Sequence, residues 1–224
     1  MRLFFLLSLL WGQPFALAST APSLLPSLVP TDAPTTARSS QYSVKLFAGT
    51  GTSGSTSGTG GQATAAGLDN CRSVWLDTAD VVYISLYDQG CIRSVDSSGI
   101  VQAFAGVCGS SGSTGDGGAA TAALMSSAIS IFVSTVGILY VADLSNNRVR
   151  MVSTTGIIST VVGTGASTNS GNGGKATSAG VYYPHGLWCN SVGTLYYGSY
   201  RSNLVRYVDS ASIIRSYAGW NELK

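Results

Sequence analysis

The chain repeats itself, and that limits its possible folds more than any other property. Phe47-Ala48-Gly49 recurs as Phe104-Ala105-Gly106, Val161-Val162-Gly163 and Tyr217-Ala218-Gly219, with the glycines 57, 57 and 56 residues apart. The same step carries Gly60-Gly61 to Gly117-Gly118 and Gly173-Gly174, and Trp75 to Phe132 and Trp188. It also carries Tyr83 to Tyr140 and Tyr196, and Arg93 to Arg150 and Arg206. A period of this size means one supersecondary unit copied in tandem, each copy shielding the flank of the next.

Each unit reads as four short strands. In the first they are predicted near Ser73–Asp77, Val81–Tyr87, Ile92–Asp96 and Ile100–Ala105, parted by turn clusters such as Thr78-Ala79-Asp80 and Ser97-Ser98-Gly99. The second has them near Ser130–Ser134, Ile138–Asp143, Val149–Ser153 and Ile157–Val162. The third has Gly186–Asn190, Thr194–Gly198, Val205–Asp209 and Ser212–Ala218. No segment sustains the 3.6-residue apolar period of a helix, which excludes a helical solenoid. The expectation is an all-β fold, a β-propeller of four-stranded blades with about three blades present. The propeller segment covers 42–224, with blades near 42–106, 107–163 and 164–219. A long Ser/Gly/Thr loop such as Gly109–Ala123 recurs between blades, and its recurrence points to a shared structural role. Val44–Ala48 reads as the last strand of a further blade.

Composition agrees with strands and turns: 28 of the 224 residues are glycine and only 10% are charged. The net charge is +2, from 12 basic and 10 acidic residues without a basic run, so no nucleic-acid partner is expected.

Residues 1–18 read as a signal peptide, with Arg2, the apolar Leu3–Leu10 and the small-residue site Ala16-Leu17-Ala18. That apolar run is far short of a membrane span. Residues 19–41, with Pro22, Pro26, Pro30 and Pro34, read as an extended linker whose composition fits O-glycosylation; no Asn-x-Ser/Thr sequon occurs. A secreted, extracellular location follows. Such a route permits disulfides among Cys71, Cys91, Cys108 and Cys189. Cys71 and Cys91 share a unit and could meet, but three pairings stay open, as do free thiols.

Catalytic signals are weak. Gly49-Thr50-Gly51-Thr52-Ser53-Gly54 spells GxGxxG, but loop residues follow it where a helix is required, and the loops after Gly106 and Gly163 lack the pattern. No cofactor is expected. His185 is the only histidine, too few for a metal site of the His/Asp/Glu kind, and Pro184-His185-Gly186 reads as a turn opening a strand. No catalytic, cofactor or metal residue is assigned. Asp143 and Arg148 are expected to form an exposed ion pair worth about 0–1 kcal/mol. Trp75, Phe132 and Trp188, with Tyr83, Tyr140 and Tyr196, are expected to fill the gaps between blades. Tyr87, Tyr182, Tyr183, Tyr200 and Trp220 fall outside that register and are the better candidates for contacting a glycan or peptide.

The run Leu139-Tyr140-Val141-Ala142-Asp143-Leu144-Ser145-Asn146-Asn147-Arg148-Val149-Arg150, followed by Gly156-Ile157-Ile158-Ser159-Thr160-Val161-Val162-Gly163, resembles the NHL-repeat family in its long-repeat, secreted and cell-surface form. Gly115-Asp116-Gly117-Gly118-Ala119-Ala120-Thr121 is similar to the loop of that form. The likeness covers about 42–219. The signature Asp and first Arg stand only in the second unit, as Asp143 and Arg148; Leu86 and Cys91, and Ser199 and Leu204, replace them elsewhere.

The resemblance implies an extracellular binding or scaffold module for protein or glycan partners, without catalysis of its own. The alternative is a fragment of a secreted propeller enzyme, a metal-dependent lyase or hydrolase, whose site lies in missing blades. Propellers of this family commonly have six blades. Three units with open sides therefore imply a piece of a longer protein, or self-association of two chains through the open blade edges.

Overall fold

The structure, a computed structural model, describes residues 44–219. The signal peptide, the linker and Trp220 lie outside the described residues. Twelve strands form three four-stranded antiparallel sheets, each a meander in chain order. The first blade holds β1 (Cys71–Leu76), β2 (Val82–Leu86), β3 (Cys91–Val95) and β4 (Val101–Ala105). The second holds β5 (Ala128–Val133), β6 (Leu139–Asp143), β7 (Arg148–Val152) and β8 (Ile158–Val162). The third holds β9 (Pro184–Cys189), β10 (Leu195–Ser199), β11 (Leu204–Val208) and β12 (Ile214–Gly219). The chain is thus an all-β protein built from three blades of a β-propeller. Every strand end lies within two residues of its sequence expectation.

The hairpins between the first and second and between the third and fourth strands of each blade form where they do because a polar side chain closes the turn. Asp77 and Asn190 accept backbone N–H groups two and four residues on (Ala79 and Val81; Val192 and Thr194), and Ser134 accepts that of Ile138. Asp96, Ser153 and Asp209 repeat the device between the third and fourth strands of each blade. Such bonds mimic a backbone turn and tolerate the tight reversal.

Blades stack through apolar faces. Tyr83 and Ile92 of the first blade meet Ile131, Val133, Leu139 and Val141 of the second, and Trp75 packs on Phe132 with ring centroids 4.6 Å apart. Phe132 and Val149 then meet Val181, Leu195 and Tyr197 of the third region. The expected aromatic filling therefore holds for Trp75, Tyr83, Phe132 and Tyr140. Trp188 is exposed and Tyr196 half-buried, because no further sheet covers their side of the third blade among the described residues.

The long loops are clamped by the buried arginines of the repeat. Arg150 donates to Leu124 O at 2.9 Å, Thr114 O at 3.2 Å and Asp116 Oδ1 at 2.6 Å. Arg206 holds Gly180 O at 3.0 Å and Ser170 O at 3.1 Å, while Arg93 donates to Thr59 Oγ1 and Thr56 O. Each guanidinium thus satisfies loop carbonyls that would otherwise be left unpaired close to a strand edge.

Two expectations change. The disulfide joins Cys91 to Cys108, and Cys71 and Cys189 are free. Cys71 pairs across from Leu86, which in turn pairs across from Cys91, so Cys71 and Cys91 stand two strands apart. That is roughly 9–10 Å, beyond the reach of a disulfide. Asp143 and Arg148 form no ion pair: Asp143 is buried and accepts from Ser126 N and Asn146 Nδ2, while Arg148 donates to Ser113 O and Thr164 O.

Candidate binding site at the blade mouths

Where the first strand of each blade begins, the same local device recurs. Asn70, Ser127 and Tyr183 occupy the left-handed region, with φ of 49°, 62° and 52°. Their carbonyls accept the N–H of Tyr87, Leu144 and Tyr200 at 3.1, 3.2 and 3.0 Å. A bulge follows: the pairing of β1 with β2 and of β5 with β6 skips Arg72 and Ile129, and the matching irregularity in β9 falls at His185-Gly186. Bulges turn a side chain out of the regular pleat. Here they aim Arg72, Ile129 and His185 into one concavity of about 390 Å³, alongside Tyr87, Leu144 and Tyr200.

These six side chains are three equivalent pairs, one per blade. Tyr183 and Arg201 complete the lining from the third. The chemistry differs by blade. In the first, the Arg72 guanidinium lies over the Tyr87 ring at 5.1 Å; in the third, that of Arg201 lies over Tyr183 at 5.4 Å. Tyr182 stacks on Tyr183 at 5.0 Å, and the His185 ring stands 6.3 Å from Tyr200. The second blade offers only Ile129 and Leu144.

The concavity is therefore apolar at its middle and aromatic with fixed cationic groups at both flanks. Rings flanked by guanidinium can stack on sugar faces and bind carboxylate or sulfate, and arginine keeps its charge at any physiological pH.

Of the residues singled out from sequence, the structure brings together Tyr87, Tyr183 and Tyr200, with Tyr182 behind them; Trp220 lies outside the described residues. His185 is the second residue of β9, inside the strand at its bulge and not in a turn before it, and its ring lines the site. Sequence reasoning passed over Arg72, Arg201, Ile129 and Leu144. The signal was available: Arg72, Ile129 and His185 keep the repeat step, as do Tyr87, Leu144 and Tyr200, but no alternation marks a bulge. The glycine run Gly49–Gly54 leads into irregular loop and a single 3-10 turn, Ala63–Ala65.

No protein-family model matches the chain, and no curated protein matches it in sequence. Among solved structures it is similar to an auxiliary nutrient binding protein from Bacteroides thetaiotaomicron, with a TM-score of 0.52 and 13% identity over 70% of this chain and 37% of that one. A second auxiliary nutrient binding protein, from Bacteroides ovatus, gives 0.51 and 16% over 70% and 38%. Virginiamycin B lyase from Staphylococcus aureus gives 0.45 and 14% over 67% and 42%. These are β-propeller proteins, and at such identities the likeness is one of fold. The chain spans about two fifths of their length.

Proposed function

We propose that the chain is an extracellular binding module of NHL-repeat type that takes an acidic glycan across the blade mouths and performs no catalysis of its own. The observation that carries this reading is the pair of arginine–tyrosine stacks flanking one concavity, Arg72 over Tyr87 from the first blade and Arg201 over Tyr183 from the third. Stacked rings grip the faces of sugar units, and the two guanidinium groups select for carboxylate or sulfate. The fold likeness to nutrient binding proteins is in keeping with it, and the leader predicted over residues 1–18 accounts for the location.

The test is calorimetric titration of the purified protein with polygalacturonate and heparin oligosaccharides against neutral dextran oligosaccharides. Binding of an acidic series, weakened tenfold or more in the Arg72→Ala/Arg201→Ala double variant, is expected. Equal affinity for the neutral series, or no binding to either, overturns the reading.

A further inference from the structure

The outer strand of the blade is present in four copies, and one of them has no sheet. Val101–Gly106, Ile158–Gly163 and Ile214–Gly219 align with Val44–Gly49 residue for residue. The first three pair antiparallel with β3, β7 and β11. Lys45–Ala48 pair with nothing among the described residues, although the segment is already moored at its end. Gly49 N donates to Ala63 O at 2.8 Å, matching Gly106 N to Ala120 O at 2.9 Å and Gly163 N to Ala176 O at 3.0 Å. Thr50, Val107 and Thr164 repeat the next bond of the series. Leu46 and Phe47 are consequently 67% and 54% exposed, whereas Phe104, the counterpart of Phe47, packs edge-on against Tyr83 at 4.8 Å.

Two sheet faces left uncovered among the described residues complete the pattern. On the third blade, Trp188 and Tyr217 are 54% and 66% exposed, and with Tyr196 and Tyr207 they form one aromatic cluster with centroids 5.5–6.2 Å apart. The matching face of the first blade, with Trp75, Tyr83 and Phe104, is covered by the second blade. On the other side of the first blade, Val74 and Leu76 are 60% and 55% exposed, while their counterparts Ile131 and Val133 are 3% and 4% exposed beneath that same aromatic face. An aromatic face and the aliphatic face that covers it elsewhere in this chain are thus both open, at opposite ends of the array. Charge does not oppose their union: the four aromatic and two aliphatic positions are all uncharged.

We infer that a second copy of this chain closes both. Lys45–Gly49 of one copy adds to β11 of the other in the place of Arg215–Gly219, and the third blade so completed lies on Val74 and Leu76 of the first copy. The exchange keeps the ladder, since one outer strand replaces an equivalent one, and Phe47 takes the place in the aromatic face that Tyr217 gives up when its own strand is released. The gain is the buried aromatic–aliphatic face, the interface already used twice within the chain. The inference is independent of what the blade mouths bind.

Opposite residues of an antiparallel pair come close enough for a disulfide. Val205 pairs with Ala218, whose counterpart is Ala48. The experiment co-expresses two distinguishably tagged full-length chains, both carrying Cys71→Ser, one with Ala48→Cys and the other with Val205→Cys. Neither chain can form the new bond within itself. A disulfide-linked pair carrying both tags is expected, together with a dimer or larger head-to-tail species of the unaltered protein in sedimentation velocity. Phe47→Asp, at an exposed position, should leave the unfolding transition in place and lower the associated fraction at least tenfold. A monomer throughout the micromolar range overturns the inference, as does a dimer that gives no mixed disulfide or ignores Phe47→Asp.

Discussion

Asp143 shows how a residue of the blade repeat can serve a purpose its pattern does not disclose. Its carboxylate is fully buried, and desolvation pushes its pKa up to about 6, against the lowering effect of hydrogen bonds from Asn146 and the Ser126 N–H and of the charges on Arg150 and Arg148. The folded value lies above the unfolded one, so the native state holds the proton more tightly. Its favourable contribution is complete below the ordinary carboxylate range and is lost as pH rises through about 6. Asp143→Asn removes that dependence. In urea unfolding, the stability of the parent minus that of the variant should drop by about 2 kcal/mol between pH 4 and pH 7. A constant difference across that interval would contradict the assignment. The residue matters beyond its own charge, because Asn146, which it holds, also donates to Gly112 O of the preceding loop at 2.6 Å.

At the level of strands and loops, the repeat was readable because each element carries its own signal: β-branched runs, turn-closing Asp, Asn and Ser, and glycines in fixed register. What could not be read is where an element departs from the pleat. The bulges at Arg72 and Ile129 depend on backbone pairing, and an apolar Ile beside a cationic Arg gives no hint that the two positions are equivalent. The disulfide was open for a similar reason, since strand register, not spacing, separates Cys71 from Cys91. Cys91–Cys108 closes a loop with a sequence separation of 17 and ties the start of β3 to the loop after β4. Cross-linking a loop of that length constrains the unfolded chain by about 3 kcal/mol. The Cys91→Ala/Cys108→Ala variant should lose stability of that order in guanidinium unfolding, with exchange of backbone amides rising first around Gly109. A loss under half a kcal/mol (roughly, by the spread seen for such cross-links) would mean that packing alone fixes this corner.

Among the described residues the main packing runs in chain order, the first blade on the second and the second on the third, so stability should be distributed in a line. Leu139 is buried in the cluster between the first and second blades, and Tyr197 in that between the second and third. Leu139→Ala is expected to cost about 2–5 kcal/mol by removing buried methyl groups and leaving a cavity. Hydrogen exchange should then accelerate in β2–β7 while β10 and β11 keep most of their protection. Uniform acceleration through all three blades would show that the array unfolds as one unit instead. The number of blades and their order were evident from the sequence; the exposure of Trp188 among the described residues was not, because the same residue type at the same register is buried where another sheet lies against it and exposed where none does.

The blade mouths have one more consequence. The cationic groups sit only on the outer two of three adjoining blades, and the middle one presents Ile129 and Leu144. A ligand with a single acidic group can satisfy one end alone, whereas one whose acidic groups are spaced to match both gains the second contact at high local concentration. The arrangement would act as a ruler, grading chains by the distance between their charges as much as by their number.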